Sequence, residues 1–341
     1  GIGVSACRRV EAAEPDMEVA AIVTGDPGRA AEAARDHPGA RVVPDASALW
    51  DAPGGIDLAV VAAPNRAHVP LARAAVAAGV PVVVDKPLAA DAGEGEALVR
   101  EAAAAGVMLS VFQNRRWDGD FLTVRRLLAE DAVGRVVRFT SRFDRWRPAV
   151  NAAAWREGPD PRDAGGLLAD VGRHLIAPAI LLFGPPVSVY AELARAREGA
   201  RVDDDAFVAL THAGGERSHL AASMLAAAPA PRMVLTGTAG TYEKHGLDGQ
   251  EDALRAGGRP GTPGWGSEPR ERWGRLHDAQ GAHEVPTERG AYTAYYAGVA
   301  RALRTGAPPP VDPADAVRVL RVIEAARRSH ERGAPIAGGG W

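Results

Sequence analysis

The first half of the chain alternates short β-branched runs with alanine-rich amphipathic stretches, the signature of βαβ units. Strands are expected near residues 18–24, 41–43, 57–62, 81–85 and 107–112. Between them, residues 27–36, 65–78 and 91–105 carry Ala, Leu, Glu and Arg at helical spacing. Each is entered by Asp, Pro or Asn and left by Gly or Pro. This order predicts an open, doubly wound parallel sheet. After about residue 116 the pattern changes. Runs at 136–143, 187–193, 206–211 and 233–237 follow one another without helices of similar length between them, which predicts a mixed or antiparallel sheet in a second domain. Residues 257–266, rich in Gly and Pro and lacking periodicity, read as a surface loop. The last long helical pattern covers 313–329, with Asp312 as N-cap and Pro313 at the first helical position.

A chain of 341 residues exceeds the size at which single cores stop growing, so two domains are expected, at 1–116 and 117–341. A formal charge of −3 with 24% charged residues leaves no basic excess to recruit nucleic acid, which favours small ligands. The single cysteine, Cys7, excludes an internal disulfide framework and fits the reducing cytoplasm. His212, His219, His277, His283 and His330 show no metal-ligand spacing with Cys or carboxylates, so no metal is expected. Apolar runs stop well short of the roughly 18 residues of a membrane span, and no charged leader followed by an apolar segment opens the chain. No membrane partner is expected.

Thirty-eight of the forty basic residues are arginine. Lys86, one of only two lysines, follows an apolar run in Val82-Val83-Val84-Asp85-Lys86-Pro87. A lysine kept against that bias points to an amine that can lose a proton or act as a compact donor, as a guanidinium cannot. Chance placement is the competing explanation. The opening Gly1-Ile2-Gly3-Val4-Ser5-Ala6 fits the G-x-G-x-x-G/A turn that brings backbone to a pyrophosphate. The strand that should precede it is absent, so either the chain starts late or the match is accidental. At the end of the next strand, where NAD-specific folds place an acid, stands Thr24, followed by Gly25, Asp26 and Arg29. A hydroxyl and a cation there suit a 2′-phosphate, so NADP is preferred, with Asp26 leaving NAD open. Pro64, Asn65 and His68 follow another strand and run into a helix, with Asn65 as its cap. Strand carboxyl ends face the ligand crevice in such folds, so this turn and Asp85-Lys86-Pro87 should share a cleft. His68 is equally well read as a solvated helix residue.

Gly165-Gly166-Leu167-Leu168-Ala169-Asp170-Val171-Gly172-Arg173-His174 lies about 80 residues beyond Lys86 and, if helical, puts Asp170 and His174 on one face. Together with Asp85-Lys86-Pro87, this segment resembles the Gfo/Idh/MocA family of NAD(P)-dependent oxidoreductases. Residues 112–123, 143–148 and 246–255 further resemble the NADP-dependent scyllo-inositol dehydrogenases within it. Asp85 departs from the family's usual Glu, and Ala177 stands where many relatives carry Asp.

The resemblance implies an N-terminal Rossmann dinucleotide-binding domain followed by an α+β domain with a mostly antiparallel open sheet. It implies Lys86, Asp170 and His174 as catalytic and substrate-binding residues, His174 as general acid/base and Lys86 on the reacting oxygen, with the reverse division of roles open. Asn114, Arg115, Asp118, Trp155 and Arg156 are further candidates around nicotinamide and substrate, although Trp155-Arg156 reads equally as a surface pair. The expected substrate is a polyol, inositol or sugar-like secondary alcohol, and the expected assembly a homo-oligomer, dimer or tetramer. Two alternatives remain: a reductase of another ketone or imine, and a nicotinamide-binding sensor without turnover.

Overall fold

The computed structural model describes residues 14–50, 55–151, 153–228, 230–338 and 341. The turn with Gly1 and Gly3 lies outside the described residues. Strands β1 (Ala21–Val23) and β2 (Arg41–Val43) pair in parallel, and β3 (Ala59–Val61), β4 (Val82–Asp85) and β5 (Leu109–Phe112) form a second parallel group. Val82, Val83 and Val84 are fully buried, which is why this strand is an unbroken β-branched run rather than an alternating one.

The intervening helices are α1 (Pro27–Asp36), α2 (Ser47–Trp50), α3 (His68–Ala77) and α4 (Ala92–Ala104). Asp26 caps α1 by accepting the Arg29 N–H at 2.8 Å, and Asp91 caps α4 by accepting the Glu94 N–H at 2.8 Å. The cap expected of Asn65 is not made. A short 3₁₀ turn, Asn65–Ala67, leads into α3, and the Asn65 amide instead donates to the Asp163 carbonyl 2.7 Å away in the second half of the chain.

That half contains α5 (Gly119–Ala129), β6 (Val136–Asp144), α6 (Arg173–Phe183), β7 (Pro186–Ala194), β8 (Asp205–His212), β9 (Arg217–Ser223), β10 (Met233–Gly237), β11 (Gly240–Lys244), α7 (Gln250–Arg255), β12 (Gly274–Asp278), β13 (Gly281–Val285), α8 (Thr293–Thr305), α9 (Pro313–Arg332) and β14 (Ile336–Ala337). Its nine strands form one sheet in the order β13-β12-β11-β10-β6-β9-β8-β7-β14. Every neighbouring pair is antiparallel except β6 and β9. Alternate residues such as Ala206, Val208 and Leu210 of β8 are buried, so one face of the sheet carries the core. The stretch Pro161–Phe183, which includes α6, is apolar and long enough to cross a membrane by composition, yet 67% of it is buried inside the fold, as befits a core helix.

Helix α9, capped by Asp312 as expected, ties the two halves together. Ala316, Val317 and Leu320 join the core of the parallel sheet, while Val319, Val322, Ile323, Ala325 and Ala326 join the core of the antiparallel one. Apolar residues on two sides of one helix fix the cleft between the sheets. The 257–266 loop departs from a surface reading at one point: Trp265 is buried in the first core and donates its indole N–H to Gln250 Oε1 at 3.2 Å.

Candidate active site

The carboxyl ends of β1, β3 and β4 open onto one crevice, lined at one end by Thr24, Gly25, Asp26 and Arg29, in the middle by Ala63, Pro64 and Asn65, and at the other end by Lys86, Asn114, Trp155, Asp170 and His174. The sequence candidates therefore converge, with two corrections. Asp118 does not line the crevice. It is 1% exposed, accepts the Tyr292 hydroxyl at 2.7 Å and pairs with Arg115 at 2.9 Å. Burial raises its carboxyl against the pull of Arg115, the neighbour that does line the crevice. His68 reaches the crevice wall, but its two ring nitrogens face the Pro87 carbonyl at 2.6 Å and the Ala63 carbonyl at 2.8 Å. The ring ties the turn after β3 to the turn carrying Lys86, and is no free cofactor ligand.

Lys86 leaves β4 at the cis Lys86–Pro87 bond, with its own N–H held by the Asp85 carboxylate at 2.8 Å. Its ammonium lies 3.3 Å from Asp170 Oδ1, and the Arg156 Nε lies 3.3 Å from the same oxygen. Both cations fall on Oδ1; among the described residues no protein group donates to Oδ2, which leaves an acceptor for a substrate hydroxyl. Arg156 also stacks on Trp155 at 4.2 Å, and both side chains line the crevice. Burial raises the Asp170 carboxyl, but Lys86, Arg156, Arg173 and Arg145 together hold it well below the usual carboxylate range. Burial lowers the Lys86 ammonium, opposed chiefly by Asp170.

Asp170 sits in one π-helical turn, Leu168–Gly172, that widens the start of α6, and His174 follows in the first α-turn. Two glycines make that entry possible. A Cβ on Gly165 would lie 2.3 Å from the Gly158 carbonyl, and one on Gly166, whose φ is +100°, 2.3 Å from Asp203 Oδ1, while Asp203 accepts the Leu168 N–H at 2.6 Å. Gly166→Ala is therefore expected to cost roughly 2–4 kcal/mol, read as a lowered urea midpoint at constant slope. The His174 ring stacks on Phe143 with centroids 6.5 Å apart and planes at 29°. Burial first, then Lys86, Arg115, Arg173 and Arg232, push its imidazolium well below the ordinary value of 6.5. The same influences favour the neutral imidazole over the imidazolium.

Sequence reading passed over Phe143, Arg145, Arg147 and Glu251, which also line this end. The first three lie inside the 143–148 segment and Glu251 inside the 246–255 segment, which were the available signals. Arg115 reaches the crevice with its charge already spent on Asp118 and on Glu251 at 2.6 Å.

A crevice at the carboxyl ends of parallel strands is where folds of this kind hold a dinucleotide, and the protein is an NAD(P)-dependent oxidoreductase. It belongs to the Gfo/Idh/MocA oxidoreductase family, whose NAD-binding Rossmann fold matches residues 1–113 and whose C-terminal α/β domain matches residues 125–337. It is 36% identical to the scyllo-inositol 2-dehydrogenase (NADP(+)) IolW of Bacillus subtilis, over 92% of this chain and 87% of that one. Identity to the oxidoreductase YdgJ of Escherichia coli is 40%, over 92% and 89% of the two chains. The solved structure of the oxidoreductase yvaA from Bacillus subtilis superposes with a TM-score of 0.93 at 34% identity, covering 99% of this chain and 96% of that one.

Proposed function

We propose that the protein oxidises a secondary alcohol of a polyol, inositol or sugar-like substrate with NADP, the reverse reduction using the same groups. The observation that supports this reading is the convergence of Lys86, Asp170 and His174 at one end of the crevice, where burial favours the neutral imidazole. When bound, the cofactor supplies the acceptor for the hydrogen and electron pair that leave the carbinol carbon. Lys86 donates to the reacting oxygen and stabilises the charge that grows there. His174 takes the hydroxyl proton, so the carbinol becomes a carbonyl with two electrons and one proton accounted for. Asp170 anchors Lys86 through Oδ1 and offers Oδ2 to a neighbouring hydroxyl.

The preference for NADP rests on α1. Asp26 is engaged as the helix cap, whereas Arg29 has no acidic partner among the described residues and, like Thr24, lines the crevice. Arg29→Ala is expected to weaken NADP roughly tenfold while leaving NAD nearly unchanged, as measured by equilibrium fluorescence titration. Equal losses for both cofactors would refute the assignment. The activity itself is tested by offering inositols, pentoses, hexoses and their keto forms with either cofactor and following nicotinamide absorbance. Cofactor binding without turnover of any would make the protein a sensor. The single cysteine, and Val187 and Trp146 standing 46% and 58% exposed, support a cytoplasmic homo-oligomer.

A further inference from the structure

The substrate end of the crevice carries more positive charge than its acids neutralise. Lys86 and Arg156 share Asp170, Arg115 is held by Asp118 and Glu251, and Arg255 pairs with Glu251 and Asp252. Arg145 and Arg147 line the same wall, and among the described residues neither has a carboxylate within salt-bridge distance. Arg145 is the informative one. It is half-buried, and its backbone is pinned on both sides, its N–H donating to the Ser223 carbonyl at 2.8 Å and its carbonyl accepting the Ala226 N–H at 3.1 Å. Its guanidinium rests 4.8 Å from the centroid of Phe143, the ring that also stacks on His174. Burial disfavours its charged form, Arg147 and Arg115 disfavour it further, and Asp170, already shared by two other cations, is the strongest opposing influence. A partly desolvated guanidinium on a pinned backbone and without its own acid carries a cost that the Phe143 ring and the shared Asp170 offset only in part.

We propose that Arg145 receives a carboxylate of the substrate, which makes the substrate a polyhydroxy carboxylic acid rather than a neutral polyol. This rests on the dehydrogenase reading above and narrows it. The planar fork of one guanidinium matches a planar monoanion through two parallel hydrogen bonds, whereas a dianionic phosphate calls for several converging donors. With the acid group on Arg145, another part of the same short molecule reaches Lys86, His174 and the free oxygen of Asp170.

The test uses the full-length protein saturated with NADP and epimeric pairs of hexoses and their uronic acids, with the corresponding 6-phosphates as a third arm. Binding is read from tryptophan fluorescence, since Trp155 lines the crevice, and turnover is read separately. At least one acid is expected to bind tenfold or more tighter than its neutral parent. Arg145→Gln should weaken that acid roughly 10- to 100-fold and erase the preference, and Arg145→Lys should restore part of it. An unchanged thermal midpoint shows that the variants fold. Acids no tighter than their parents throughout the panel, an acid preference surviving in Arg145→Gln, or phosphates bound best through Arg145 would each overturn the carboxylate. Turnover of neutral sugars with no Arg145-dependent acid binding would refute this inference and leave the dehydrogenase standing. Arg145-dependent acid binding without turnover of any substrate would do the reverse.

Discussion

Lys86→Arg is expected to lower kcat by about 10²–10⁴-fold while leaving the fold and NADP binding close to wild type. The substitution keeps a positive charge opposite Asp170, so the pair made at 3.3 Å by lysine has a replacement and no buried carboxylate is stranded. What it removes is a compact ammonium whose pKa burial has already lowered from 10.5, and which can therefore approach a developing alkoxide and share its proton. A guanidinium is broader, holds its proton and would push the reacting oxygen away from His174. Steady-state kinetics beside a thermal unfolding curve separate the outcomes. Near wild-type turnover in a folded Lys86→Arg protein would remove Lys86 from the proton and charge chemistry. Loss of folding would instead assign its importance to the Asp170 pair.

The scarcity of lysine drew attention to Lys86, and the other lysine shows where such an inference stops. Lys244 is 1% exposed, donates to the His245 carbonyl at 2.5 Å and pairs with Glu268 at 3.1 Å, a buried structural ion pair. Composition could not separate the two; the neighbouring motifs did. The parallel sheet was legible because strands buried on both faces are unbroken β-branched runs, and because Asp26 and Asp91 mark helix starts with their own side chains. β12 and the edge strand β13 were not, since short strands with residues such as Arg275, His277 and Glu284 mostly facing solvent carry no hydrophobic alternation. Tyr292, Tyr295 and Tyr296 pack into the first core from far along the chain, a partnership that only the folded topology creates. The site divides in the same way. Asp170 and His174 are close in sequence and readable at helical spacing, whereas the stacking of Phe143 on His174 and the contact of Arg145 with that same ring exist only through space.

His174→Asn is expected to reduce alcohol oxidation by about 10²–10⁴-fold and to change the shape of its pH dependence. Oxidation requires the imidazole neutral, so rate is retained above its pKa and lost as pH falls through it. Burial, reinforced by Lys86, Arg115, Arg173 and Arg232, sets that pKa well below 6.5, which places the acid limb of kcat/KM below pH 6.5. The alkaline limb has the opposite sign. Lys86 stabilises the reacting oxygen while protonated, and its lowered pKa brings the loss of activity on the alkaline side below 10.5. Asparagine keeps a polar group of similar reach beside Phe143 but cannot take a proton near neutral pH, so the residual activity of His174→Asn should lack the acid limb and retain the alkaline one. An acid limb above pH 6.5 in the wild type, or its persistence in His174→Asn, would assign the proton to another group, with Lys86 next in line because it lines the same end of the crevice and its ammonium pKa is already lowered by burial.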